Sequence, residues 1–463
     1  MTWERALRAM TMACLCVTMV VLVSGLARGR GFPEPGLGQG PAGGPPAIVG
    51  KLAPPPPAPR YMAKAELADL IGPREIEKAE AGLFEVYDSM GQPFFVRTTL
   101  DPELQAQALK MVRGSGALRA ALVAIDPGTG RVLALAGAGN PEGNVALEGS
   151  FPAASVFKIV TAAAAMEMAD FNAMTPVAYD GSKHTLYKAN LGKGPDQGLH
   201  RSTLRDSFAE SVNSVFGKLG AFSLGAGGLE AMALNFGFNE SLAFELPLAE
   251  SMFDLGEDPE DGFRLAELAS GFNRETRLSP VHGALIASVA LNGGDLYEPT
   301  VVSQVLDMNG DVVYRGRPKL LGKAVSLQTS EELSVLMQAA MVNGTGRKRF
   351  GDAERNPVLS KLIMGGKSGT INDENGDRVD WFVAFATPSA GAPDADDFSG
   401  GPDSAPQGSL ALAAVVVHDG RTNVVSQELV RGALMAYYGP RLNPKGGTKA
   451  MAGQKPKQTR GRS

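Results

Sequence analysis

Ala120 to Ile125 is an unbroken apolar run, and Arg131 to Gly137, apolar after its first residue, is a second strand candidate, separated from it by the turn-forming cluster Asp126-Pro127-Gly128-Thr129-Gly130. The pair predicts a β-hairpin. Far downstream, Trp381 to Ala386 is short and apolar throughout and Leu410 to His418 is apolar up to its last residue, the pattern of strands buried on both faces. Met364 to Thr370 reads as a further strand, paired through a turn at Asn375-Gly376. The first and last of these strands must then meet in one antiparallel sheet. Between the two groups lies a long stretch of helical character. Pro152 suits the first turn of a helix, and Ala162-Ala163-Ala164-Ala165 after it predicts one that is apolar on every face and runs through the domain interior. A sheet with a cluster of helices is α+β layering.

The ends of the chain read differently. Ala9 to Ala27 is an apolar run of about the ~20 residues that a helix needs to cross a bilayer. It follows Arg5 and Arg8, which fits an uncleaved anchor, while Gly25-Leu26-Ala27 also offers a signal peptidase site. Either reading exports the rest of the chain. Gly31 to Pro59 is dense in proline and glycine, with Pro54-Pro55-Pro56-Pro57 favouring extended polyproline geometry, so it is a spacer. Tyr61 to Ala81 has helical composition, and Leu83 to Arg97 suits a short strand pair around Gly91. Ala386 to Ser409 should be a disordered loop between strands, and Pro440 to Ser463 a basic, solvated tail.

Composition narrows the function. A net charge of −5 provides no broad basic field, which sets nucleic-acid binding aside. Cys14 and Cys16 both lie in the apolar run, so no disulfide or thiolate metal site is available elsewhere. His184, His200, His282 and His418 are scattered without ligand spacing, and neither a metal nor a cofactor is expected.

Three short motifs carry the chemistry, in this order: Ser155-Val156-Phe157-Lys158, Ser211-Val212-Asn213, and Lys367-Ser368-Gly369-Thr370. Each alone is weak, since a lone Ser-x-x-Lys is most often a core serine with a snorkelling lysine. Together they build an acyl-transfer site that needs no histidine. Ser155 falls on the first turn of the predicted helix, and Lys158, three residues on, shares its face. A serine hydroxyl needs a base to become a nucleophile, and Lys158 is the candidate. An ordinary lysine, with a pKa of ~10.4, is protonated at neutral pH. The site must lower that value by about three units, worth about 4 kcal/mol, through burial and a second cation at Lys367. Ser211 is placed to relay a proton from Lys158 to the leaving amine, and Asn213 to offer its amide to the substrate. On a regular strand Lys367 and Ser368 point to opposite faces, and Gly369 lets a ligand backbone approach.

This ordered trio resembles the penicillin-binding proteins, the D,D-transpeptidases among the penicillin-recognising serine acyltransferases. Val96-Arg97-Thr98-Thr99-Leu100-Asp101-Pro102-Glu103-Leu104-Gln105 is similar to the opening of the transpeptidase domain in bifunctional penicillin-binding proteins, with Asp101 as a helix N-cap. Leu278-Ser279-Pro280-Val281-His282 and Gly344-Thr345-Gly346 are similar to its later helix and loop. The resemblance implies an α+β fold: a five-stranded antiparallel sheet with helices packed on both faces and an all-helical subdomain. It implies an acyl-enzyme formed on Ser155 from a D-Ala-D-Ala stem peptide of peptidoglycan, cross-linking to an amine acceptor, and covalent binding of β-lactams. Lys158 and Ser211 would be catalytic with it. Asn213, Lys367, Ser368, Gly369 and Thr370 would bind substrate, and the backbone N–H groups of Ser155 and Thr370 would form the oxyanion hole.

The expected organisation is an anchor or signal at 1–30, a linker at 31–60, a short segment at 61–95, the transpeptidase domain at 96–440 and a tail at 441–463. With no glycosyltransferase domain before Val96, the protein reads as monofunctional. The expected place is the bacterial cytoplasmic (inner) membrane, single-pass through residues 9–27, with wall-synthesis proteins as partners. A D,D-carboxypeptidase using water as acceptor and a β-lactam sensor remain alternatives. A class A β-lactamase is disfavoured: the gap from Ser211 to Lys367 is long for that class. Its Glu-x-x-Leu-Asn motif is also missing, for Glu230-Ala231-Met232-Ala233-Leu234-Asn235 is one residue too long and reads as a helix end.

Overall fold

Five strands make the central sheet: β1 (Arg119–Ile125), β2 (Val132–Ala138), β3 (Leu362–Asn372), β4 (Arg378–Pro388) and β5 (Leu410–His418). Their order is β3-β4-β5-β1-β2, antiparallel at every pairing. The structure is a computed structural model, and it describes residues 61–78, 83–141, 143–192, 194–389, 408–419 and 424–443. The early hairpin joins the late strands through β1 and β5, from Ala411 opposite Ile125 to Val417 opposite Arg119. That closure brings the central sheet's earliest and latest strands in the sequence together.

Side chains alternate across a strand, so each core strand supplies two hydrophobic layers. On one face Leu122, Phe382, Ala384 and Val416 meet α1 (Pro102–Arg113) and α7 (Ser426–Leu442). On the other, Ala121, Val123, Trp381, Val383 and Ala413 meet α5 (Pro280–Ser288), a helix buried at every position and capped by Ser279, which accepts from His282 N. Asp101 caps α1 by accepting from Leu104 N at 2.9 Å. The helical subdomain packs α2 (Lys158–Met168), α3 (Asn213–Lys218), α4 (Gly262–Ser270) and α6 (Leu327–Val342) on one another. It also carries two short two-stranded ladders.

Several details differ from the sequence reading. Pro152 does not start the helix: Phe151–Pro152 pairs with Arg277–Leu278, and α2 begins only at Lys158. Strands Leu83–Tyr87 and Pro93–Thr98 form a hairpin, but the second also pairs with Val302–Leu306 in a four-stranded sheet, so the expected boundary at 96 runs through a paired strand. α7 extends to Leu442, past the expected start of the tail.

The expected single-pass place in the inner membrane is corrected. Among the described residues no helix is long and apolar enough to cross a membrane. The longest, α7, has 17 residues and carries Glu428, Arg431 and Arg441. At ~1.5 Å per residue it falls short of a hydrocarbon core of ~30 Å. Residues 9–27, on which the expectation rested, lie outside the described residues, as do the linker at 31–60, the loop from 390 to 407 and the tail from 444.

A buried carboxylate secures the smaller sheet to the core. Glu245, fully buried, accepts from Thr300 Oγ1 at 2.5 Å and Tyr314 Oη at 2.9 Å through Oε1, and from Val301 N at 3.0 Å through Oε2. Lys64 Nζ stands 3.7 Å away. Glu245→Ala strips three buried donors of their acceptor, and each such loss costs about 1 to 3 kcal/mol. The variant is expected to lose about 3 kcal/mol or more, read from the urea midpoint at unchanged slope.

Candidate active site

The three motifs meet where the edge strand β3 faces the helical subdomain. Ser155 lies on a 3-10 turn, Ala154–Phe157, that leads directly into α2, so it precedes the α-helix rather than sitting within it. Ala154 opens the turn in left-handed backbone, with φ 49°. Three neighbours hold this backbone. Trp381 Nε1 donates to Pro152 O at 2.9 Å. A Cβ on Gly271 would lie 1.9 Å from Ala154 O, and one on Gly369 would lie 3.1 Å from Ser155 N. The turn after α4 and strand β3 therefore close on the serine's main chain because both contact residues are glycine. The sequence reading assigns the open face of Gly369 to a ligand; in the structure the Ser155 turn occupies it.

Lys158 is fully buried, and its Nζ has three partners: Ser155 Oγ at 2.8 Å, Asn213 Oδ1 at 2.8 Å and Ser270 O at 2.5 Å. The Asn213 amide is oriented by its own Nδ2, which donates to His184 O at 2.8 Å. Two of the three partners are thus acceptors only. A neutral amine has two N–H groups and one lone pair, so donating to both carbonyl oxygens leaves the lone pair for the Ser155 hydroxyl. The surroundings favour that form: burial first, then the charge of Lys367, hold Lys158 well below the ordinary lysine pKa.

Lys367 is also fully buried, and it donates to Ser211 Oγ and Ser368 O, each at 2.9 Å. Burial pulls its pKa down to about 7. Ser211 sits in left-handed backbone, φ 57°, a conformation that costs a non-glycine residue about 1 to 3 kcal/mol and turns its hydroxyl toward Lys367. This pairing differs from the sequence reading, which ties Ser211 to Lys158 and leaves Asn213 for the substrate. Asn213 instead holds Lys158, and one of its Nδ2 hydrogens is committed to His184 O.

Strand β3 is regular, so Ser368 and Thr370 lie on the sheet face opposite Lys367. Ser368 Oγ donates to Thr345 Oγ1 at 2.7 Å, and Thr370 Oγ1 donates to Asp380 Oδ1 at 3.1 Å. Asp380 Oδ2 accepts from Ser426 N and Oγ at 2.9 and 2.8 Å. The cleft, about 410 Å³, wraps around the free edge of β3 and is lined by Ser155, Ser211, Asn213, Ser368, Gly369 and Thr370. Lys158 and Lys367 stand behind its wall. Lys348, Arg349 and Arg378 also line it, against the single acid Asp380, whose oxygens are both engaged, so the cleft attracts anions.

Sequence reasoning misses His184 and the part played by Ser270, and it does not mark Phe272, which also lines the cleft. No local pattern marks them: His184 is 29 residues from Asn213, and Ser270 is 112 residues from Lys158. His184 and Ser270 hold the site through backbone carbonyls, which any residue type supplies.

A serine beside a buried lysine at the edge of such a sheet is the arrangement that the resemblance to the penicillin-recognising class implies. Residues 120–391 match the profile of the penicillin binding protein transpeptidase domain, and the chain belongs to that family. It is 27% identical over 338 residues to the peptidoglycan D,D-transpeptidase PbpA of Mycobacterium tuberculosis, covering 64% of this chain and 65% of that protein. The match thus spans just under two thirds of that relative's length. Among solved structures, the D,D-transpeptidase domain of a peptidoglycan glycosyltransferase from Eggerthella lenta is 26% identical with a TM-score of 0.57, over 75% of this chain and 83% of that one. The imipenem acyl-enzyme complex of penicillin-binding protein A from M. tuberculosis is 24% identical with a TM-score of 0.57, over 74% and 79%, a likeness of fold.

Proposed function

We propose that the protein is a peptidoglycan D,D-transpeptidase that forms an acyl-enzyme on Ser155 and binds penicillin covalently there, with its catalytic domain spanning about residues 96–440. The observation that carries this is Lys158 Nζ, buried and held well below the ordinary lysine pKa, standing 2.8 Å from Ser155 Oγ. Ser155 Oγ attacks the carbonyl between two terminal D-alanines while its proton passes to Lys158 Nζ. The backbone N–H groups of Ser155 and Thr370 receive the developing oxyanion. Ser211, held by Lys367, protonates the departing amine of D-alanine and is replenished by the proton that Lys158 took from Ser155, which leaves Lys158 free to act again. Ser368 and Thr370 take the substrate's terminal carboxylate at the cationic end of the cleft. An amine of a neighbouring stem then attacks the ester, giving the cross-link and returning a proton to Ser155. The D,D-transpeptidase activity for which PbpA is named and the acyl-enzyme in the imipenem complex support the same reading.

Labelling with a fluorescent penicillin, followed by peptide mapping, tests it. The expected result is a stable adduct on Ser155 that Ser155→Ala abolishes; an unlabelled wild-type protein would refute the assignment. Incubation with a stem pentapeptide and an amine then separates the acceptors. Transfer of the acyl group to the amine supports the transpeptidase, and release of D-alanine with hydrolysis alone identifies a carboxypeptidase.

A further inference from the structure

We propose that Phe272 screens the acyl ester on Ser155 from water and thereby directs the acyl group to an amine; this rests on the function proposed above. Phe272 is a large apolar side chain left 43% exposed, and it lines the main cleft beside Ser155 and Gly271. It also lines a second cavity of about 240 Å³, which carries the charged groups of Arg264, Glu267, Arg274 and Glu275. Phe272 thus stands between the nucleophile's cleft and a second space whose lining is largely charged.

Its backbone ties that wall to the reacting centre. In the same turn Ser270 O accepts from Lys158 Nζ at 2.5 Å, and Gly271 lies against Ala154 O and Ser155 N. Phe272 N donates to Glu267 O at 2.8 Å. Asn273, only 6% exposed, stiffens the turn by accepting from Thr276 N at 2.8 Å and donating to Glu267 O at 3.3 Å. The backbone that carries Phe272 cannot shift without disturbing the contact that orients Lys158.

Two nucleophiles compete for one ester. Attack by water breaks the Ser155 ester bond, forms a carboxylic acid and returns a proton to Ser155 Oγ through Lys158. Attack by an amine breaks the same bond, forms an amide and returns a proton by the same route. Both need the same catalytic groups, so access decides the partition, and excluding water protects a reactive intermediate.

The test compares wild type, Phe272→Ala and Phe272→Leu, with thermal melting as the separate measure of folding. Each is loaded with a fluorescent penicillin to follow loss of the adduct, and given a stem pentapeptide with glycine as acceptor to measure hydrolysed against transferred product. Phe272→Ala is expected to shorten the adduct's lifetime roughly ten-fold and to raise the share of hydrolysis, with Phe272→Leu between it and wild type. Equal lifetimes and product ratios in all three would overturn the role of Phe272 while leaving the function intact. Should the alanine variant fail to melt cooperatively, a leucine variant equal to wild type overturns it alone. An unlabelled wild type would instead overturn the function itself.

Discussion

Lys158→Met is expected to slow acylation of Ser155 by penicillin about 10²- to 10⁴-fold, the usual contribution of a positioned general base. Methionine has a similar length and no branch, and it suits a site that is already fully buried. It leaves Asn213 Oδ1 and Ser270 O without the donor they now share, but it also removes an amine held out of water. What it cannot replace is the lone pair directed at Ser155 Oγ. Lys158→Arg should fail as badly, because a guanidinium has five N–H donors and no acceptor. The second-order acylation rate, measured by stopped flow, checks both variants. A loss below ten-fold in the methionine variant would mean that another group takes the Ser155 proton. Near-normal rates in the arginine variant would mean that positive charge alone is needed.

The stability of the protein is expected to rise as pH increases from about 7 toward 10.5, and Lys367→Met should remove much of that rise. The ordinary lysine value is 10.5, and burial lowers it to about 7 in the folded chain. Between those values the unfolded chain binds a proton that the folded chain does not, so stability increases with pH. Below the folded pKa both states are charged, and the cost of holding the ammonium in the interior is felt in full. A shift of that size corresponds to roughly 5 kcal/mol. Lys158, lowered in the same direction, adds a contribution of the same sign and keeps some slope in the variant. Urea unfolding of wild type and Lys367→Met at about pH 6 and about pH 9 reads the difference. Parallel stability profiles would contradict a strongly lowered Lys367. The same variant leaves Ser211 Oγ without its 2.9 Å partner, so it should gain relative stability in acid while acylating slowly. That trade is expected where a site keeps a buried amine for its chemistry.

Much of the frame was legible in the chain. Short apolar runs such as Leu410 to His418 mark buried strands because a strand covered on both faces has no polar side to show, and β5 occupies those same residues. The turn at Asn375-Gly376 was readable for a local reason as well: Gly376 takes φ 84°, which glycine adopts without strain. Helix starts were less secure. Pro152 favours a first turn, yet the two-residue pairing with Arg277–Leu278 and the tight contact of Gly271 with Ala154 delay α2 to Lys158. Tertiary contacts outweighed a local preference there.

The sequence by itself determined the cast and its order: Ser155 with Lys158, Ser211 with Asn213, then Lys367 with Ser368, Gly369 and Thr370, on a framework whose first and last strands had to meet. Only the tertiary structure decided which partner serves which. Lys158 belongs to Ser155 and Asn213, and Lys367 belongs to Ser211, because contacts across 55 and 156 residues depend on how β3 packs against the helical subdomain. It also supplied the carbonyls of Ser270 and His184 and the wall at Phe272. A pKa, likewise, has no local signature. It arises from burial and neighbouring charge, which exist only once the chain has folded around the two lysines.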